Sequence, residues 1–322
     1  MDIQDIRELE VPAELQGERI DRVLAALLPD YSRSRLAAWL KAGRVRVDAR
    51  VWRPAERVRG GERLRVDVAP ERDERVRAQP IALDVVYADE SVLVIDKPPD
   101  LVVHPGAGNP DGTLQNALLH YDPALQGVPR AGIVHRLDKD TSGLMVVART
   151  LAAHKRLVEQ LQARSVRRDY LAVVCGVMIA GGTVDQPIGR HPRERVRMAV
   201  HPGGREAVTH YRVVERFRAH TLVRASLETG RTHQIRVHMA WLRYPLVGDA
   251  VYGRRPLLPK AADERLVRTL RGFRRQALHA ERLSFEHPAD GRALRFEAAP
   301  PADLAALLAA LRDDARAHAD DV

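Results

Sequence analysis

Two short segments hold the side chains that could do chemistry. The first is His135-Arg136-Leu137-Asp138-Lys139-Asp140-Thr141-Ser142, set between the apolar runs 132–134 and 144–148. The second is Glu228-Thr229-Gly230-Arg231-Thr232-His233-Gln234-Ile235-Arg236-Val237-His238, where Arg231, His233 and Arg236 crowd a single glutamate. Charges this close to apolar runs are costly unless they are paired or used. An aspartate with arginines beside it stays ionised near neutral pH. Such a carboxylate can act as nucleophile, general base or metal ligand. The simplest alternative is a structural ion-pair turn.

Other chemistries fit poorly. His135 with Asp138, or His233 with His238, could be read as metal ligands, but neither pair has a His-Glu-x-x-His neighbourhood, and arginines repel a cation; no metal is expected. Gly106-Ala107-Gly108 lacks the Lys-Ser/Thr of a nucleotide loop, and no serine stands in a nucleophile elbow. Cys175 is the single cysteine, so no intrachain disulfide or cysteine zinc cluster can form; within its apolar run it reads as a buried thiol.

The elements that must position these segments can be read from periodicity. Runs 132–134 and 144–148, rich in Val and Ile, read as two strands flanking the first polar turn. Residues 1–15 show no clear element. A helix begins after Gly17, with Ile20, Val23, Leu24 and Leu27 on one face, and stops at Pro29-Asp30. Ser32 can cap a second helix through Leu40, and Gly43 suits the residue after it. Strands at Val45 and Val47, a turn at Gly60-Gly61, and a strand at Leu64, Val66 and Val68 follow. Residues 69–82, charged and carrying two prolines, read as a linker. Beyond it, strands are expected at 85–87, 92–95, 171–174, 208–214 and 221–227, with a late hairpin at 283–285 and 294–296. Helices are expected at 113–120 and 151–163, in part of 254–276, and from Pro301 onward. Strands dominate without a βαβ rhythm, so the expected class is α+β with a mainly antiparallel sheet.

Charge is unevenly spread. The 322 residues carry a net +9, yet residues 31–65 alone hold eleven basic side chains against three acidic ones. Arg33 and Arg35 fall in the first turn of a helix, where cations oppose the dipole, so something other than helix stability favours them. A concentrated basic patch on an otherwise balanced chain points to a polyanion partner. With 45% apolar and 30% charged residues, and no apolar run near the roughly 20 residues a membrane span needs, a soluble cytoplasmic protein is expected. No signal-peptide pattern opens the sequence.

The basic module, through Arg19-Ile20-Asp21, Ser32-Arg33-Ser34, the Lys41 to Val47 stretch and Gly60-Gly61-Glu62, resembles the S4 RNA-binding domain. That family usually has Asn-Gly in the hairpin turn, where this chain has Asp48-Ala49-Arg50; alanine tolerates a positive φ poorly, so a different turn type is expected. His135-Arg136-Leu137-Asp138 with Thr141-Ser142-Gly143 resembles the active-site motif of the RluA/RluD family of pseudouridine synthases. Lys97-Pro98, Val103-His104-Pro105, Arg168-Asp169-Tyr170, the 230–236 segment, and Gln276-Ala277-Leu278-His279-Ala280 with His287-Pro288 are similar to that family's other motifs, in its order. One departure is Asp100, where the family often has glycine. The resemblance covers nearly the whole chain and is greatest to the RluD branch, which modifies large-subunit ribosomal RNA.

The resemblance implies an extension at 1–15, an S4-like domain at 16–76, a linker at 77–84 and a catalytic domain at 85–322. It implies Asp138 as the catalytic aspartate, Arg236 as its partner, and Tyr170 stacked on the base. Arg136 would fill the gap left by a flipped uridine, and Arg231 and His233 would bind RNA at the site. The module's Arg33, Arg35, Lys41, Arg44 and Arg46 would supply affinity through phosphates. The isomerisation leaves composition unchanged, so no cofactor is required. The implied partner is large-subunit ribosomal RNA or its assembly precursors, engaged by a monomer. Two other classes stay open: a non-enzymatic RNA-binding ribosome-assembly factor, and a metal-dependent nuclease.

Overall fold

The computed structural model describes residues 5–28, 31, 33–68, 76–106, 108–194, 197–253 and 255–319. The expected helix stop at Pro29-Asp30, the Ser32 cap and much of the 69–82 linker lie outside the described residues, as do the side chains of Arg33 and Arg35.

The basic module packs two helices on a small sheet. Helix α1 (Ile20–Leu27) buries Ile20, Val23 and Leu24 at helical spacing. Helix α2 (Arg33–Lys41) buries Leu36, Trp39 and Leu40 against it. Val45 and Val47 of β2 (Val45–Val47), and Leu64 and Val66 of β4 (Arg63–Val68), complete this core. The sheet also contains β1 (Asp5–Glu10) and β3 (Arg50–Val51), in the order β1-β4-β2-β3. Strand β1 falls in residues read as having no element: its charged side chains hide the alternation, and pairing with β4 supplies the order. It sets Glu8 opposite Arg65 and Glu10 opposite Arg63, so two carboxylates flank part of the basic surface.

The β2–β3 turn also departs from expectation. Asp48 and Ala49 take φ of 45° and 66°, the left-handed pair that a tight primed hairpin turn requires. Alanine there costs roughly 1 kcal/mol. Asp48 ties the turn to β4: its Oδ1 accepts Arg63 N–H at 3.0 Å and its own N–H donates to the Arg63 carbonyl.

The rest of the chain forms one large sheet, in the order β5-β6-β7-β14-β8-β13-β12-β9, with β15 also on β14. Its strands are β5 (Asp84–Ala88), β6 (Val92–Lys97), β7 (Ser142–Ala148), β8 (Arg167–Cys175), β9 (Gly182–Asp185), β12 (Val208–Arg216), β13 (His220–Leu227), β14 (Leu278–Glu286) and β15 (Ala293–Glu297). A separate hairpin joins β10 (Ile188–Arg190) and β11 (Met198–Val200). Every pairing in the large sheet is antiparallel except β7 with β14. The fold is therefore α+β, as expected.

Both faces of the central strands β6, β7 and β8 are covered, which is why β8 reads as a continuous apolar run, while β5, β12 and β15 keep one face exposed. Leu171 and Val173 point toward α6 (Glu264–Gly272) and α7 (Ala302–Ala317); Tyr170, Ala172 and Val174 point to the opposite face, with α3 (Leu114–Tyr121). Helix α4 (Leu151–Gln162) covers β6 and β7 through Ala153 and Leu157. Cys175 closes β8 half-buried and free, its thiol pushed up by burial. The segment before β5 has no regular structure but is tied down. Asn116 donates to the Arg77 carbonyl, Gln79 N–H donates to the Asn116 carbonyl, and Ile81 and Leu83 pack on the large core.

The first polar segment is not a simple hairpin. Residues 129–132 form a 3-10 turn with Arg130 and Ala131 at positive φ, and the expected strand at 132–134 reduces to one bridge from Ile133 to Val147. Glycines fix both ends. A Cβ on Gly132 (φ 80°) would overlap the Ala148 carbonyl, and one on Gly143 (φ 116°) would overlap the Ala280 backbone. Gly143→Ala is thus expected to cost about 3 kcal/mol, read as a lower urea midpoint. Gly127→Ala, with open space and ordinary φ, should stay near wild type.

Candidate active site

Asp138 sits in the loop between Gly132 and Gly143, and its side chain is half-buried. The loop is held by its carbonyls. Lys97, fully buried at the end of β6, donates through Nζ to the carbonyls of Pro98 (2.7 Å), Leu101 (3.0 Å) and Lys139 (2.9 Å). Arg275 donates to the Asp140 carbonyl, Gln276 to the Thr141 hydroxyl, and Thr141 N–H to the Asp138 carbonyl. His135 lies inside: its Nε2 accepts Val146 N–H at 3.1 Å, and burial with the nearby Arg168 charge pushes it down to about 3. It is a neutral structural acceptor.

The second polar segment delivers Arg236 to Asp138. His233 caps α5 (Gln234–Trp241) in the left-handed conformation (φ 59°), and Arg236 lies in that helix's first turn. Gln234 fixes the approach. Its side-chain carbonyl accepts from Thr229 Oγ1 and Arg231 N–H, and its amide donates to Val208 O and Thr209 Oγ1. Arg236 Nη1 then reaches Asp138 Oδ2 at 2.9 Å, while Nε and Nη2 grip Asp249 at 2.7 and 2.9 Å. Asp249 also accepts the N–H groups of Val251 and Tyr252. Burial raises the Asp249 carboxyl, but Arg236 and these N–H groups outweigh it and hold it low. The guanidinium lies 5.1 Å from the centre of the Tyr252 ring, a cation–π distance.

His233 completes the group. Its Nδ1 meets the Tyr252 hydroxyl at 2.8 Å, and its Nε2 stands 3.9 Å from Asp138 Oδ1. Burial keeps the imidazole below its ordinary value against the pull of Asp138. If the Tyr252 hydroxyl donates to Nδ1, the proton sits on Nε2 and faces the carboxylate.

Tyr170 forms the wall. Strand register aligns Gly143, Ala280, Tyr170 and Ala225 across β7, β14, β8 and β13. Directly paired residues share a face, so small residues flank the one large ring, and the slot it lines has a volume of about 50 Å³. Tyr170 is buried, and burial raises its phenol. Asp138, Tyr170, His233, Arg236 and Leu278 line a single slot, with Arg136 and Arg231 at its mouth. Arg136 is exposed, and Arg231 donates to the Glu206 carbonyl. This arrangement offers a fixed carboxylate, a flat ring for stacking and a cationic rim.

Lys41, Arg44 and Arg46 are exposed on the basic module and take no part in this slot. His238, weighed as a metal ligand with His233, is buried with Nδ1 on Thr209 Oγ1 and Nε2 on the Gln186 carbonyl. Asp249, Tyr252, Lys97 and Gln234 join the site without a role that the sequence pattern assigns them. The one local signal for Asp249 and Tyr252 is their enclosure by Gly248 and Gly253. Asp100 explains its own oddity: φ is 65°, a left-handed position that glycine fills freely and aspartate tolerates.

The RNA pseudouridylate synthase family profile matches residues 91–241, and the S4 domain profile matches residues 18–64. A ribosomal large subunit pseudouridine synthase D from Xanthomonas campestris pv. campestris is 58% identical over 98% of this chain and 95% of its own length. The chain belongs to the RNA pseudouridylate synthase family. The Escherichia coli K12 protein named ribosomal large subunit pseudouridine synthase D is 56% identical to the synthase over 95% of this chain and 94% of its own. Among solved structures, Human RNA Pseudouridylate Synthase Domain Containing 4 superposes with a TM-score of 0.55 at 27% identity, covering 71% of the synthase and 93% of itself. The human domain-containing protein 1 gives 0.54 at 27%, covering 70% and 86%.

The loop anchor carries a pH signature. Burial pushes the Lys97 ammonium from 10.5 down to about 7, against the pull of Asp140 and Asp138. Between those values the unfolded chain holds the proton, while the folded side chain has released it and keeps two N–H donors for the three carbonyls, so stability from this residue rises with pH. Urea unfolding of the wild type at pH 7 and pH 9 should therefore show a gain that Lys97→Met lacks. Equal pH slopes would show that Lys97 keeps its proton throughout.

Proposed function

We propose that this synthase converts uridine to pseudouridine in large-subunit ribosomal RNA, with Asp138 as the catalytic residue. One observation carries the assignment to Asp138: its carboxylate is held by Arg236, which is itself held by Asp249. The reaction breaks the bond from ribose C1′ to uracil N1 and forms one from C1′ to C5. C5 loses a proton and N1 gains one, so no cofactor is consumed. Asp138 attacks the ribose, attacks the base or removes a ribose proton; each role needs an ionised carboxylate in a fixed place.

Other side chains divide the remaining work. Tyr170 stacks on the uracil, and its phenol, raised by burial, stays protonated as a donor. Arg136, exposed at the mouth, fills the space the uridine leaves in the RNA. Arg231 and His233 face the nucleotide in the slot. Residues 16–76, extended by β1, form the RNA-holding domain; residues 77–84 link it to the catalytic domain at 85–322. Within the module, Arg33, Arg35, Lys41, Arg44 and Arg46 bind phosphates without reading sequence. No helix among the described residues is long and apolar enough to cross a membrane. A ribosomal RNA substrate supports a cytoplasmic protein, and we infer that it acts as a monomer.

Asp138→Asn should abolish pseudouridine formation in a ribosomal transcript while RNA affinity stays within a few-fold. Substantial residual conversion would remove Asp138 from its role. Reversing charge at Lys41, Arg44 and Arg46 together should lower the slope of log K against log salt by about 2, since each lost phosphate contact removes roughly 0.7–0.9. An unchanged slope would mean that this face does not meet RNA.

A further inference from the structure

Beside the catalytic slot lies an open cavity of about 550 Å³ that shares Arg136, Arg168, Gly230 and Arg231 with it. Arg130, Arg164 and Arg205 also line it, and Glu228 is its one carboxylate among the described residues. Glu228 is already engaged, with Arg164 at 2.9 Å and His210 at 2.7 Å. The lining therefore leaves several guanidinium groups without a counter-charge.

Arg168 is the sharpest case. It is 7% exposed, yet its Nε has no hydrogen-bond partner, and no carboxylate pairs with it among the described residues. The adjacent Asp169 is occupied by Ser226 at 2.6 Å, and the neighbouring His135 is neutral. A buried cation without a partner is expensive, and one kept at a cavity wall implies an anion that arrives from outside. Gly230 opens the way: a Cβ there would stand 3.0 Å from Arg168 Nη1. Arg168 and Tyr170 lie two residues apart on β8, so both face the same side, roughly 6.6–6.8 Å apart along the strand. That spacing suits a base stacked on Tyr170 and a phosphate of the same nucleotide at Arg168.

We propose that Arg168 binds a phosphodiester flanking the target uridine, and that the arginine-lined cavity receives the adjoining RNA backbone. This rests on RNA being the substrate. The test uses the full-length protein and a synthetic RNA stem-loop that the wild type converts. Each phosphate flanking the target is replaced in turn by an uncharged methylphosphonate, and binding is measured by filter retention. Neutralising one of the two should weaken wild-type binding about tenfold or more. Arg168→Gln should weaken binding to unmodified RNA similarly, and the two changes together should cost no more than either alone. Arg168→Lys, which keeps the charge, should fall between. Wild-type affinity unchanged within twofold at both positions would overturn the proposal without needing any variant. So would full additivity of the two penalties. Conversion of the unmodified RNA, followed in parallel, reports separately on the substrate: its failure strikes the reaction and leaves the phosphate result to stand or fall by itself.

Discussion

One guanidinium shared by two carboxylates sets the geometry of the site. Arg236 is almost fully buried, and Asp249 behind it is more enclosed still. Such a cluster adds little net stability, because desolvating three charges offsets much of their attraction. Its effect is positional. Two contacts to Asp249 fix the guanidinium plane, and the Val251 and Tyr252 N–H groups fix Asp249. The remaining Nη1 can then meet Asp138 in one direction only. Substituting lysine would keep the charge and lose the plane, since an ammonium cannot grip one carboxylate with two parallel bonds while reaching a second.

Much of this was legible in the residues. The helical faces of α1, α2 and α7 are visible as apolar spacing, and β6, β7 and β8 as Val-rich runs, because burial on both faces leaves no polar alternation to confuse them. The pairing of Arg236 with Asp138 followed from motif resemblance, and the structure brings the two within hydrogen-bond reach. What stayed hidden depends on partners far away in sequence. Strand β1 is highly charged and gains its order from β4 by pairing alone, with Glu8 set opposite Arg65, 57 positions away. Asp249 matters only because α5 brings Arg236 to it. Lys97 looks like a surface lysine beside two prolines until two carbonyls of its own loop and that of Lys139, 42 positions on, converge on it. The hairpin expected around residues 135–142 failed for a local reason: the positive φ at Arg130, Ala131 and Gly132 turns the chain before a strand can begin.

The distribution of charge has two levels. On the basic module, exposed arginines stand along the sheet, and β1 interleaves glutamates among them. Around the slot, Arg168 and Arg236 are buried, exposed arginines rim the mouth, and Glu228 and Asp249 are already committed to other partners. The first arrangement suits loose, salt-sensitive tracking of a polyanion; the second suits a short stretch of backbone held in one place.

The parallel contact between β7 and β14 has a consequence for the time at which the site exists. Gly143 and Ser142 pair with Ala280 and His279, and Ser142 Oγ meets His279 Nδ1 at 3.0 Å across 137 positions of sequence. The carboxyl-side hinge of the Asp138 loop is thus anchored by one of the last strands to be synthesised. During translation the loop, helix α5 and Tyr170 all emerge before the strand that aligns them. Contacts of such long range form late in folding. A growing chain therefore completes its S4 domain well before the strand that closes the active site exists.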